Sequence, residues 1–202
     1  IPPNGIDHYP FMKPNGWILR AVIINPLNGS YLHEKVNVTV VGSDPNLEKT
    51  ELYINDTCMA TWDMSGKHAY MWDTTAYNDG IYFLKLKTND KAGNTKEDKI
   101  TVTVDNTMPI IEIRRPLEGT YLRGTHDITI YGQDTHLERM ELYIDDALAK
   151  IYTIGGTQAF TWNTTRLADG LHTIKFRAVD KAGNTKEAKV TITIDNTAPS
   201  VN

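Results

Sequence analysis

Asp105, Asn106, Asp134, Asp180 and Asn184 are the residues of this sequence whose types suit a metal centre. All five offer side-chain oxygens, and Ca2+ collects about 6–8 oxygen ligands. A second chemistry is covalent modification. Asn28, Asn37, Asn55 and Asn163 each open an Asn-x-Ser/Thr sequence, the acceptor pattern for N-linked glycan. Other chemistries find little material. Cys58 is the single cysteine, so no internal disulfide is available, and a lone cysteine reads as a small apolar residue before it reads as a nucleophile. Asp7 and His8 make an incomplete ligand set. Serine, histidine and aspartate fall in no triad signature, so no enzyme is expected and no catalytic residue is assigned.

The bulk composition narrows the partners. The formal charge is −4, and the basic residues are scattered rather than gathered into the stripe that neutralises phosphates, which argues against nucleic acid. Apolar residues make up 40% of the chain without an uninterrupted run near the roughly 18–20 residues of a membrane span. No signal-peptide pattern stands at Ile1. The expectation is a soluble chain that has lost a targeting segment or was cut from a longer protein.

The candidate ligands are far apart in sequence, so a fold must bring them together. The string "DKAGNTKE" at 90–97 returns letter for letter at 180–187, and a shift of 90 residues aligns 26–112 with 116–202 without a gap. About 37 of the 87 aligned pairs are identical, which marks a tandem duplication of a whole small domain. Within each copy the apolar period is two. Val36, Val38 and Val40 alternate with polar residues, as do Ile128 and Ile130, then Ile100, Val102 and Val104, then Val190, Ile192 and Ile194. Seven short strands per copy, separated by Gly, Asn and Asp clusters, predict an all-β antiparallel sandwich. "DKAGNTKE" then falls at the hairpin between the sixth and seventh strands, with Gly93 and Gly183 supplying a positive φ. Trp72 and Trp162, with Tyr70 and Phe160 two residues before, read as core. Tyr82 follows a turn as the Tyr of a tyrosine corner does, whereas His172 stands at that position in the second copy and is expected to lack the corner bond.

The motifs "P-L-x-G-x-Y-L", "L-E-x-x-E-L-Y-I", "W-x-T-T-x-x-x-D-G" and "D-K-A-G-N-T", in that order and twice over, resemble the bacterial and archaeal Ig-like repeats of secreted and cell-surface proteins. The resemblance implies two tandem seven-stranded immunoglobulin-like β-sandwiches, at 17–106 and 107–202; residues 1–16 do not match the repeat and read from their prolines as a linker from a preceding domain or as an arm. The resemblance further implies an extracellular or cell-surface location. The expected role is a non-enzymatic, rod-like building block of a surface layer, stalk or filament. The alternative is an adhesive or carbohydrate- or protein-binding module appended to a secreted enzyme such as a protease. Partners would be other copies or neighbouring Ig-like domains, or a surface glycan or protein ligand. Ile6, Tyr9, Phe11 and Met12 of the arm, and Val201 at the end, are the expected assembly contacts, since "APSVN" occupies the place where a further copy would begin. In such a sandwich the chain enters near the loops after the second and sixth strands, which would draw Asp105 and Asn106 toward Asp134, Asp180 and Asn184; otherwise each Asp and Asn braces its own turn. Calcium held there would raise the melting temperature and EDTA would reverse it, whereas a melting temperature indifferent to both would exclude the site.

Overall fold

Residues 18–200, described by a computed structural model, turn the period-two alternation into sixteen strands and one 3-10 turn, Thr74–Ala76. Among these residues no helix is long and apolar enough to cross a membrane. Contacts divide the chain between Asp105 and Asn106 into two units. In the first, β1 (Arg20–Asn25), β3 (Lys35–Ser43) and β6 (Gly66–Asp73) form one sheet in the order β1-β3-β6. The second sheet contains β2 (Tyr31–Leu32), β4 (Leu47–Ile54), β5 (Thr57–Trp62), β7 (Gly80–Asp90) and β8 (Thr95–Val104) in the order β2-β8-β7-β4-β5.

The second unit repeats this with β9 (Ile110–Arg115), β11 (Thr125–Gln133) and β14 (Gly156–Asn163) in one sheet. Its other sheet joins β10 (Tyr121–Leu122), β12 (Leu137–Ile144), β13 (Ala147–Tyr152), β15 (Gly170–Asp180) and β16 (Thr185–Ile194). All pairings are antiparallel except β2 with β8 and β10 with β16.

Each copy thus has eight strands where seven were expected. The first strand is split. Pro26 and Pro116 follow directly on β1 and β9, and a proline has no N–H to continue a ladder. Past the proline the chain resumes as β2 or β10 on the opposite sheet.

The core of the first unit is the inward faces of both sheets: Val38, Val40, Leu52, Leu84, Leu86 and Val104 are fully buried and Trp72 nearly so. Ile128, Ile130, Met140, Leu142, Ile174, Phe176, Ile192 and Ile194 fill the second. Each such side chain contributes about 1.5–3 kcal/mol by leaving water. The copies reach the same fold with different fillings. Thr50 and Thr88, buried with their hydroxyls 3.3 Å apart, stand where the second copy has Met140 and Ala178, and Leu86 stands where it has Phe176.

Gly42 ends the apolar run of β3 because nothing larger fits. A Cβ there would lie 2.7 Å from Cγ2 and 2.8 Å from Cβ of Thr50, whose β-branched side chain has little freedom to retreat. Gly132 repeats the constraint, with Cζ of Phe176 at 3.1 Å. Replacing Gly42 by Ala is therefore expected to destabilise the first unit by about 1–3 kcal/mol through overpacking. Urea denaturation of G42A checks this through a lowered midpoint at unchanged slope.

Candidate functional site

The twice-written hairpin is held by an Asp–Asn clamp. The Oδ1 of Asp180 accepts the amides of Gly183 (2.8 Å) and Asn184 (2.9 Å), and its Oδ2 accepts Nδ2 of Asn184 (2.8 Å). Asp90 does the same in the first copy, with the amides of Ala92 (2.9 Å) and Asn94 (2.8 Å) and Nδ2 of Asn94 (2.7 Å). The Asn94 side chain foremost, then these amides, hold the Asp90 carboxyl below its ordinary range. Gly93 and Gly183, at φ +89° and +97°, make the reversal that aims the amides inward.

Asp134 accepts the amide of His136 at 2.7 Å, and the Lys181 amide donates to the His136 carbonyl at 2.9 Å. The Asp134 turn and the Asp180 hairpin therefore lie side by side within the second unit. Asp105 closes the first unit, its amide donating to the Leu32 carbonyl at 2.9 Å, and Asn106 opens the second. Asp134, Asp180 and Asn184 thus all brace their own turns.

Tyr82 forms its corner, Oη donating to the Asn78 carbonyl at 2.9 Å. The second copy was expected to lack this bond and does not. Nε2 of His172 lies 3.0 Å from the Ala168 carbonyl, so an imidazole nitrogen takes the place of the phenol. Its other nitrogen, Nδ1, lies 2.6 Å from Oδ2 of Asp145, whose Oδ1 accepts the Thr173 amide at 2.8 Å. The Asp145–His172 pair was missed in the sequence because its members lie 27 residues apart with no recognised motif. A comparison of the two copies, which sets Asn55 and Tyr82 against Asp145 and His172, carries the signal.

The four glycan acceptor sequences are solvent-exposed at their asparagines. Asn28 accepts the Thr101 amide through Oδ1 at 2.8 Å, and Asn55 accepts the Phe83 amide through Oδ1 at 2.9 Å. Asn163 accepts the amide (3.0 Å) and hydroxyl (2.8 Å) of Thr165. Asn37 lies within β3, between β1 and β6. Ile6, Tyr9, Phe11, Met12 and Val201, the expected assembly contacts, lie outside the described residues.

The outer face of the five-stranded sheet is also duplicated. Lys85 lies 4.7 Å from the Tyr53 ring centroid and 3.2 Å from Asp56, and Lys175 stands at the same distances from Tyr143 and Asp146. Asp56 and Asp146 are almost fully solvated, so these pairs add little to stability. In the second unit Glu141 is buried beside Arg139 (2.6 Å) and Tyr143 (2.8 Å). Burial raises its pKa, but these donors prevail and hold the carboxyl below its ordinary value.

Residues 125–196 match a family described as a bacterial Ig-like domain, and residues 66–149 match another, the bacterial Ig-like domain of group 3. The second match runs from β6 to β13, out of phase with the folded units. Among solved structures, the fibronectin(III)-like modules of CbhA from Clostridium thermocellum are 18% identical over 88% of this chain and 95% of theirs, with a TM-score of 0.59. That likeness is one of fold. A tetra-tandem repeat from the extending region of a large adhesion protein is 19% identical over 87% of this chain and 48% of its own, at a TM-score of 0.37. The endo-beta-1,4-mannanase from Thermotoga petrophila is 22% identical over 45% of this chain and 20% of the enzyme, at 0.39. No match is found among curated proteins.

Both nitrogens of His172 face acceptors, and only the imidazolium donates to both. Burial opposes that charge, yet the Asp145 carboxylate and the Ala168 carbonyl outweigh it and raise the His172 pKa. For Asp145, burial would raise the pKa, and the His172 and Thr173 bonds bring it below its ordinary value instead. A raised histidine pKa gives stability that is complete below the unfolded value of about 6.5 and is lost as pH rises through the folded value. A lowered aspartate pKa gives stability that is present above about 3.9 and is lost as pH falls through the folded value. The pair therefore stabilises most between these limits. Calorimetry of the full chain should show the transition of the second unit falling as the pH rises above about 6.5, and H172Y, which copies Tyr82, should flatten that dependence.

Proposed function

Because this chain is a tandem pair of bacterial immunoglobulin-like domains, we propose that it is a non-enzymatic structural protein of the cell exterior, a building block of a surface layer, stalk or filament. Bacterial Ig-like domains are common in extracellular proteins. The observation that carries the reading is what the duplication retained. The Asp90 and Asp180 clamps recur atom for atom at the aspartate oxygens and the asparagine. So do the buried hydroxyls of Thr74 and Thr164, which donate to the carbonyls of Glu34 and Gly124 at 2.8 Å in both copies. These are architectural groups, and their repetition preserves a shape.

The edge strands supply a means of assembly. β5 and β13 end their sheets, and an unpaired edge can accept a strand from another molecule. Leu148 and Ile151 on β13 are about half exposed, which gives such an added strand apolar contact. Other copies of the chain, or neighbouring Ig-like domains, are the partners this favours.

Electron microscopy of the protein as its native cells secrete it tests the reading. Regular filaments or a lattice whose subunit has this mass are expected. Isolated particles, or particles joined to a larger globular body, would overturn it in favour of an appended binding module.

A further inference from the structure

Each acceptor asparagine has an acid at the matching position of the other copy. Asn28 faces Glu118, Asn37 faces Asp127, Asn55 faces Asp145, and Asn163 faces Asp73. In three of these pairs one side-chain oxygen does the same work in both. Asn28 accepts the Thr101 amide where Glu118 accepts the Thr191 amide at 2.7 Å. Asn55 accepts the Phe83 amide where Asp145 accepts the Thr173 amide. Asn163 and Asp73 each accept the amide and hydroxyl of the Thr two residues on. The structural task thus needs an oxygen, which an acid supplies equally well. What asparagine adds is Nδ2, and at Asn28 and Asn55 that atom has no partner among the described residues.

Asn28 and Asn55 also share a place. Thr101 and Phe83 are register partners on β8 and β7. The two asparagines bind their amides from the β2 and β4 sides, so Asn28, Thr101, Phe83 and Asn55 lie in one line across the outer sheet. Phe83 is 61% exposed and Ile81, two residues before it on the same face, is 62% exposed. A hollow of about 440 Å3 beside them is lined by Asn55, Asp56, Phe83, Lys85, Lys99 and Thr101, among others. Both asparagines sit in turns: Asn28 precedes Gly29 (φ +81°), and Asn55 and Asp56 have φ +44° and +65°. In the second copy the acids Glu118 and Asp145 coincide with Thr173 in place of Phe83. The exposed ring occurs on the copy in which both of these positions carry an amide.

We propose that Asn28 and Asn55 carry N-linked glycans, and that the exposed Phe83 ring between them is the platform on which the sugar rests. The donor is a lipid-linked glycosyl phosphate presented by a transferase. The Asn Nδ2 bonds to the anomeric carbon, the C1–O bond to phosphate breaks, and the phosphate departs with the electron pair while the amide proton passes to base. The apolar face of a pyranose laid on Phe83 covers ring and aliphatic surface that is otherwise left in water. Asn37, in mid-strand between two neighbours, and Asn163, which belongs to the second unit, are not included.

The test is intact mass and glycopeptide mapping of the full chain from its native cells. Expected are sugar increments on Asn28 and Asn55. N28E and N55D should each remove one increment while the chain still folds, because Glu118 and Asp145 already perform those bonds in the same fold. Where N55D lowers yield, T57A serves instead, since Ala147 holds that position in the second copy. F83T should keep the increments but abolish the ring-current shifts of the sugar protons. A mass equal to the bare polypeptide, or increments surviving in the N28E/N55D chain, would overturn the sites. Sugar shifts unchanged in F83T would overturn the platform.

Discussion

The inward face of β7, and of its counterpart β15, fixes the rest of each domain. β7 is paired on both sides, with Leu86 opposite Leu52 of β4 and Leu84 opposite Ile100 of β8. Leu84, Leu86 and Leu52 are wholly buried. A slip of one residue would turn both leucines of β7 to water and Lys85 and Lys87 into the core, so the register is locked. Locking the inward face locks the outward one. Lys85 has to lie over Tyr53, and the Phe83 amide has to meet Asn55, because both are one residue from a leucine that cannot move.

That constraint explains what the sequence made legible. Val38, Val40, Val102 and Val104, read from alternation alone, are all fully or almost fully buried, since period two is a direct image of which face is covered. The hairpin at "DKAGNTKE" was equally plain, because a glycine at positive φ leaves a mark in residue type. The split of the first strand was not. Pro26 signals the break, but nothing local says that Tyr31 and Leu32 will cross to the other sheet and run parallel to β8. Parallel pairing is a long-range choice, made by the burial of Leu32 against the far sheet. Nor did residue type reveal the His172 bond. Only the geometry of the corner, four residues back to Ala168, makes imidazole and phenol equivalent there.

The two cores show how loosely the filling is specified once the register is set. Thr50 and Thr88 keep their buried hydroxyls within reach of one another, whereas Met140 and Ala178 need no such bond. The second core is the bulkier at most matched positions, with Ile128, Ile130, Ile192 and Ile194 standing for Val38, Val40, Val102 and Val104, so the filling varies while the patterning persists. The glycines opposite, Gly42 and Gly132, are the points where this tolerance ends.

At the surface the copies differ by coupled changes. Asp145 uses Oδ1 on the Thr173 amide and has Oδ2 left over, which faces Nδ1 of His172. Asn55 uses Oδ1 on the Phe83 amide and has an NH2 left over. An imidazolium beside that NH2 would set donor against donor, and the first copy instead places Tyr82 there, whose hydroxyl is satisfied by Asn78 alone. A change of one side-chain atom, from oxygen to nitrogen, thus goes with a change of residue 27 positions on. The backbone bond it shares with its twin is untouched. The fold is held by the oxygen common to Asn and Asp, and the second atom of the group is where the two domains become chemically distinct.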